Sequence, residues 1–442
     1  MGIDRRQFLG GVGVTVAAGA SAAAQVPVTT PQQPVPVPLP APQPADWSHV
    51  RRMFPIAYDH VDMSAMLLTA HPTPVAAAIN RYRYALDTHP VTYLQHNNRR
   101  LQNASRDAIG AYLGIDGRNV ALTDSTTMGV ALVYQGLKLV RGQEVLVTDD
   151  SYYVTHESLR LAAEKSGIIV RSFPLADLLA APSEGAIVER VISQIGPRTR
   201  VLALTWVHSN TGLKMPVRAI VDALRSGRSR SSYGVLVCVD GVHGFGCEDA
   251  TLASLGCDFL MAGCHKWLFG PRGTGMIAGT DAAWQALSPT IPSFIDSDAY
   301  SRWIRDEPAM FTTAAMATPG GFKAFEHVWA IPEAFAIHYM AGKSRVAART
   351  AELASQLKEG LVAMPNIILQ TPRSRALSAG IVAFDVAGRS APDVVATLRA
   401  RGIVASVAPY RVEHVRLAPC IRNSPEEIER VLQELRTIAG AA

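Results

Sequence analysis

One lysine stands beside a histidine, between glycines, in the segment Ala262-Gly-Cys-His-Lys-Trp-Leu-Phe-Gly-Pro-Arg-Gly-Thr-Gly275. Glycines let backbone come close to a bound group, and a lysine desolvated in such a loop loses basicity and becomes nucleophilic towards an aldehyde. Taken alone, Lys266 is as easily a surface lysine in a glycine-rich turn. Upstream, the apolar run Val235-Leu-Val-Cys-Val ends in Asp240-Gly-Val-His243-Gly. Asp240 therefore closes a buried strand, where a carboxylate is costly unless paired. A protonated pyridine-type nitrogen is a suitable partner; a helix cap is the plain alternative. Further upstream, Thr123-Asp-Ser125-Thr126-Thr127-Met-Gly129 opens a helix whose N–H groups, hydroxyls and dipole suit a phosphate, although such caps are common.

These groups need a scaffold to bring them together. From about Thr73, helical-period segments alternate with short β-branched runs at 144–148, 167–171, 201–205 and 235–240. That alternation predicts an α/β fold with a mostly parallel sheet covered by helices. Ligands in such sheets sit at the carboxyl ends of strands, and the polar residues above come just after the runs. After about Thr318 the pattern predicts a long helix from near Phe322 to Leu361, then strand-like and helical pieces through Ile438, forming a smaller second domain.

The composition fits an enzyme-sized globular chain. Of 442 residues, 48 % are hydrophobic and 18 % charged, enough for a large core. The net charge of +5 is spread along the chain with no basic run of five, which argues against nucleic-acid binding. The five cysteines (238, 247, 257, 264 and 420) lack CxxC spacing and read as small buried thiols. No metal site is expected.

In this order the motifs resemble the class V aminotransferase family of fold type I enzymes dependent on pyridoxal 5′-phosphate (PLP), over residues 55 to 435, and within it the isopenicillin N epimerase-like branch. The resemblance implies a large domain with a seven-stranded-type sheet and a smaller α+β C-terminal domain. It makes Lys266 the residue that holds PLP covalently, His265 and Ser125, Thr126 and Thr127 phosphate contacts, and Asp240 the partner of the pyridine nitrogen. His243 is placed near the ring hydroxyl. Ten residues past Gly142, where the family has a stacking histidine, stands Tyr152, which can stack equally well. Trp206-Val-His-Ser-Asn210-Thr-Gly212 resembles the family's "HVSNVTG", so Asn210 is expected beside the cofactor hydroxyl or the substrate. Val415-Arg416-Leu-Ala-Pro-Cys-Ile-Arg-Asn423 resembles "RVSPHFYN", making Arg416 the substrate carboxylate clamp. Ala317-Thr318-Pro-Gly-Gly-Phe resembles the segment that reaches the partner subunit's phosphate, implying a homodimer with Thr318 at the cofactor.

The N-terminus differs from the rest. Asp4-Arg-Arg-Gln-Phe-Leu9, a weakly apolar stretch and Ala22-Ala-Ala24 resemble a twin-arginine export signal, which implies the export machinery as a partner and a periplasmic or secreted location. The stretch is shorter than the ~20 residues of a membrane span. The Pro/Val/Gln/Ala segment 25–45 reads as an extended tether. The expected organisation is thus signal 1–24, linker 25–45, arm and large domain 46–317, small domain 318–442.

The reading that results is an exported PLP enzyme acting on the amino-bearing carbon of an amino acid or peptidic amine, by transamination, epimerisation or oxidative modification. The export signal with Thr155-His-Glu-Ser-Leu-Arg160 and Thr318-Pro-Gly-Gly-Phe322 resembles periplasmic members that mature peptide siderophores, although Lys323 replaces an expected histidine. Persulfide-forming desulfurases need a small-domain cysteine, and none lies between 264 and 420. A lyase, or a binding protein that kept the fold without catalysis, are the alternatives.

Overall fold

The computed structural model describes residues 46–228, 234–308 and 312–440. The expected signal and linker lie outside them. Among the described residues no helix is long and apolar enough to cross a membrane.

The chain builds two sheets of four or more strands plus a short parallel pair. Strands β1 (Val61–Asp62), β2 (Val120–Thr123), β3 (Glu144–Thr148), β4 (Ile169–Phe173), β5 (Thr199–Thr205), β6 (Leu236–Asp240), β7 (Phe259–Gly263) and β8 (Gly275–Gly279) come first. After them come β9 (Ile367–Leu369), β10 (Val382–Val386), β11 (Ile403–Val404), β12 (Ser406–Val407) and β13 (Val415–Leu417). The large sheet has the order β2-β8-β7-β6-β5-β3-β4. Only β8 runs against its neighbours, so this is the expected mostly parallel seven-stranded sheet of a fold type I enzyme.

Its central strands are apolar at nearly every position because both faces are covered. Leu202, Leu204, Val237, Val239 and Leu260 pack into one cluster, while Val201, Ala203, Cys238 and Met261 pack into another on the opposite face. The strands begin and end close to the expected runs. β4 starts two residues late because Gly167, at φ 73°, caps the preceding helix Tyr153–Ser166.

The long helix expected over 322–361 is three helices: Phe325–Trp329, Ile331–Ala341 and Lys343–Val362. Pro332, in the first turn of the second, has no N–H to continue the first, and Gly342 turns the chain at φ 85°. Phe325 to Val346 belong to the apolar cluster of the large sheet, whereas a separate cluster starts at Leu353. That cluster lies between helices Lys343–Val362, Ala391–Ala400 and Pro425–Gly440 and the antiparallel sheet β12-β13-β10-β9.

The loop after β5 meets the second sheet closely. Gly212 adopts φ 73°, and a Cβ there would press on the carbonyl oxygen of Ile381 and stand 3.0 Å from Thr371 Oγ1. Thr371 in turn donates to the carbonyl of Thr211 at 2.6 Å. Gly212→Ala is therefore expected to destabilise the protein by about 2 kcal/mol or more, measured as the shift in chemical denaturation midpoint at constant slope.

Candidate active site

The carboxyl ends of β2, β3, β5, β6 and β7 open on one edge of the large sheet, and the side chains just beyond them line a cavity of about 270 Å³. Most of the residues expected in the site meet there: Ser125, Thr126, Thr127, Tyr152, Asp240, His243, His265, Lys266 and Arg416 all line the cavity.

Ser125 caps the helix Thr126–Gly136, its hydroxyl accepting from the Met128 N–H at 3.1 Å. The helix therefore points its N-terminus, with its partial positive charge, at the cavity. Thr126 Oγ1 and His265 Nδ1 are buried without a hydrogen-bond partner among the described residues. Gly263, between them, leaves the space: a Cβ there would lie 3.1 Å from Thr126 Oγ1 and 3.0 Å from His265 Cε1. Orphaned polar atoms around a helix N-terminus are what a phosphate satisfies.

Asp240 ends β6 at 4 % exposure, and one carboxylate oxygen accepts from the Val242 N–H at 3.1 Å. Burial raises its pKa, opposed by that N–H and by Lys266. Burial likewise lowers the Lys266 amine to about 8, against the pull of Asp240 and with a further push down from Arg416. His243 is driven well down, first by burial and then by Lys266 and Arg416, so its ring is neutral. The Trp267 indole N–H donates to its Nδ1 at 3.3 Å, which puts the ring proton on Nε2.

Arg416, on β13, is 3 % exposed. Its Nε donates to Ser406 Oγ at 3.2 Å, Nη1 to the Ser209 carbonyl at 2.7 Å and Nη2 to the Val407 carbonyl at 2.9 Å. Those acceptors are neutral, and among the described residues no carboxylate forms an ion pair with Arg416. Burial lowers its pKa to about 10.

Two expected residues stand elsewhere. Asn210 does not line the cavity: its amide donates to Asp150 Oδ1 at 3.0 Å and its carbonyl oxygen accepts from the Thr211 N–H at 2.8 Å, so it shapes the loop. Thr318 is also outside the cavity of its own chain. Its hydroxyl donates to the Ala314 carbonyl at 3.2 Å and accepts from the Leu122 N–H at 3.1 Å, which fastens β2. Conversely, Ser209, Thr205, Met66, Leu67, Val154, Val242 and Pro409 line the cavity although sequence reasoning did not single them out. Ser209 is the one with a signal, since it sits beside Asn210 inside the 206–212 motif. Its hydroxyl is bonded to the Tyr410 hydroxyl at 2.6 Å, and the Tyr410 ring centroid lies 5.9 Å from that of Tyr152.

A family model described as aminotransferase class-V matches residues 67–430. The chain belongs to the class V aminotransferase family. This class V chain is 27 % identical over 408 residues to isopenicillin N epimerase of Streptomyces clavuligerus, covering 90 % of this chain and 99 % of that one. It is 28 % identical over 347 residues to the Amycolatopsis lactamdurans isopenicillin N epimerase, covering 76 % and 84 %. Among solved structures, a cystine C–S lyase in complex with its product cysteine persulfide aligns with TM-score 0.78 at 23 % identity, covering 87 % of this chain and 99 % of that one. The Escherichia coli cysteine desulfurase CsdA aligns at TM-score 0.74 and 20 % identity, covering 90 % and 100 %. These place the class V chain in its fold, and the family makes it a PLP-dependent enzyme.

The residues present fit PLP: a helix N-terminus with orphaned Thr126 and His265 atoms for its phosphate, a buried carboxylate for its ring nitrogen, and an amine of lowered basicity for its aldehyde. Because Thr126 Oγ1 has no hydrogen-bond partner among the described residues, Thr126→Val is expected to leave the apoprotein's stability within about 0.5 kcal/mol. It should weaken PLP binding by about tenfold, ~1.4 kcal/mol, visible as a smaller rise in melting temperature on adding PLP.

Proposed function

We propose that this enzyme acts at the amino-bearing carbon of an α-amino acid, free or carried on a peptide, whose carboxylate is held by Arg416. One observation carries this reading: a buried guanidinium with three neutral acceptors and no anionic partner among the described residues lines the same cavity as Lys266. A guanidinium so bonded still has one N–H donor on each Nη for a carboxylate, and desolvation makes that pairing strong. PLP supplies an aldehyde for Lys266 and a ring that withdraws electrons from the substrate carbon. Asp240 holds a ring-nitrogen proton in place, and His243, neutral with its proton on Nε2, is a hydrogen-bond donor at the cavity wall. Lys266 Nζ, freed when the substrate amine takes its place on the aldehyde and lowered in basicity by burial, takes the proton from the substrate carbon as general base.

Similarity to two isopenicillin N epimerases favours a substrate with a free amino-acid head on a longer amide-linked body. Met66, Leu67, Val154 and Pro409 give the cavity a neutral, apolar lining that such a body could cross. Epimerisation, transamination or oxidative modification of a peptidic amine, including one on a siderophore precursor, all begin with the same proton removal. A persulfide relay is disfavoured, since all five cysteines are buried free thiols and burial raises the pKa of each. Exposed Phe294, Trp303 and Phe322 support a homodimer.

A visible band of the PLP-loaded protein that borohydride fixes onto Lys266, absent in Lys266→Ala, tests the enzyme reading; silence in wild type would favour the non-catalytic binding protein. Arg416→Ala should keep that band while raising KM for carboxylate-bearing amines about a hundredfold, close to 3 kcal/mol, with little change for the matching decarboxylated amines. We further propose export through the twin-arginine route, from the Arg5-Arg6 pair and the apolar stretch after it. Replacing both arginines by lysine should retain the protein in the cytoplasmic fraction of a Gram-negative host, whereas wild type appears in the periplasmic one.

A further inference from the structure

Residues 61–72 form a strap across the site. Its first end is stapled to the C-terminal region: Val61 and Asp62 pair with Ile403 and Val404, the Ala418 N–H donates to the Met63 carbonyl at 2.6 Å, and Asp62 pairs with buried Arg422 at 2.8 Å. Its middle gives the cavity Met66 and Leu67. Its second end reaches the lysine loop. There the Thr69 hydroxyl, on a residue 3 % exposed, is shared between the carbonyl of His265 at 3.0 Å and that of Lys266 at 3.1 Å. His71 Nε2 accepts from the Arg272 N–H at 3.2 Å, on the far side of the same loop.

The lysine loop needs such a tie. The Lys266 carbonyl also accepts from the Phe269 N–H at 3.0 Å, in a turn that puts Phe269 at φ 60°, a left-handed conformation that a bulky side chain adopts only when its surroundings impose it. Phe269 is held edge-on by Phe54 at 5.0 Å. That contact fixes the ring, whereas the Thr69 hydroxyl grips the carbonyls at Lys266 itself.

We propose that Thr69 is a positioning residue for Lys266, the hydroxyl through which the strap fixes the depth at which the lysine amine is presented in the cavity. The proposal rests on the reading of Lys266 as the amine that bonds PLP. The charged and titratable groups facing that amine are Asp240 from β6, Arg416 from β13 and the neighbouring His243 and His265. Desolvation among them lowers its pKa to about 8, so an amine displaced towards solvent regains basicity.

The test uses full-length apoprotein and measures the pH dependence of PLP capture, trapped with borohydride and read by mass spectrometry at Lys266, together with melting temperature. Thr69→Val, which keeps the shape and removes the hydroxyl, is expected to raise the midpoint of the capture profile by about half a unit or more and to slow capture at pH 7 about threefold. Thr69→Ser should match wild type. If Thr69→Val does not fold, Thr69→Ala is read in the same way. A fall in melting temperature with the wild-type midpoint would make Thr69 merely structural and overturn the proposal. Wild type that captures no PLP at Lys266 would instead overturn the reading on which it rests, and the proposal with it.

Discussion

Two cations and one carboxylate share the closed wall of this cavity. Lys266 and Arg416 each lose basicity through burial, Arg416 pushes Lys266 down further, and only Asp240 opposes it. Burying charge without compensation is expensive, so both cations lose basicity and the cavity favours an anionic ligand. The N-terminus of the helix Thr126–Gly136 and the Arg416 guanidinium line the same cavity, and both favour an anion. The rest of the fold holds these groups still while they wait. A parallel sheet brings strand ends from residues 123 to 263 to one edge, and the second sheet delivers Arg416 from 150 residues later.

Much of this was legible because the chemistry is local. Asp240 ends its strand, Ser125 and its two threonines open their helix, and Lys266 comes three residues after β7, so each position depends on one element and its neighbour. The central strands were equally plain, since burial on both faces leaves runs with few polar residues. What the sequence left unread is of two kinds. Within the loop after β5, adjacent residues point in opposite directions, and no local signal says that Ser209 faces the cavity while Asn210 turns to Asp150. The motif at Thr318 implies a role at a partner subunit's cofactor; within its own chain the hydroxyl bonds the backbone of β2 and of its own turn.

The second kind is a matter of distance along the chain. Leu67, Thr69, Pro409 and Tyr410 reach the site from segments nearly 200 residues before the lysine or more than 140 after it. None belongs to a motif with its own chemistry, because a leucine at a cavity mouth and a tyrosine bonded to a serine are ordinary in any core. The division of the expected helix at Ala330 and Gly342 has the same character. Helical periodicity continues across both breaks, and only Pro332 and Gly342 mark where the chain must turn to cover first one apolar cluster and then the other.

This difference in legibility matches the division of labour in the site. The local motifs carry the groups that fit PLP: an amine of lowered pKa, a buried carboxylate and a helix N-terminus. The fate of the substrate carbon after proton removal is decided by the groups that later meet it and by how well water is kept away. In this chain segments distant from the motifs add to the walls: the apolar strap, with Leu67 half exposed at 49 %, and Tyr410, bonded to Ser209 and with its hydroxyl held protonated by burial. Two relatives of one family can therefore share each motif and differ in product, because the selecting contacts arise from segments that no motif constrains. For the same reason the cavity's chemistry is better judged from which side chains face it than from how closely its lysine loop matches a pattern.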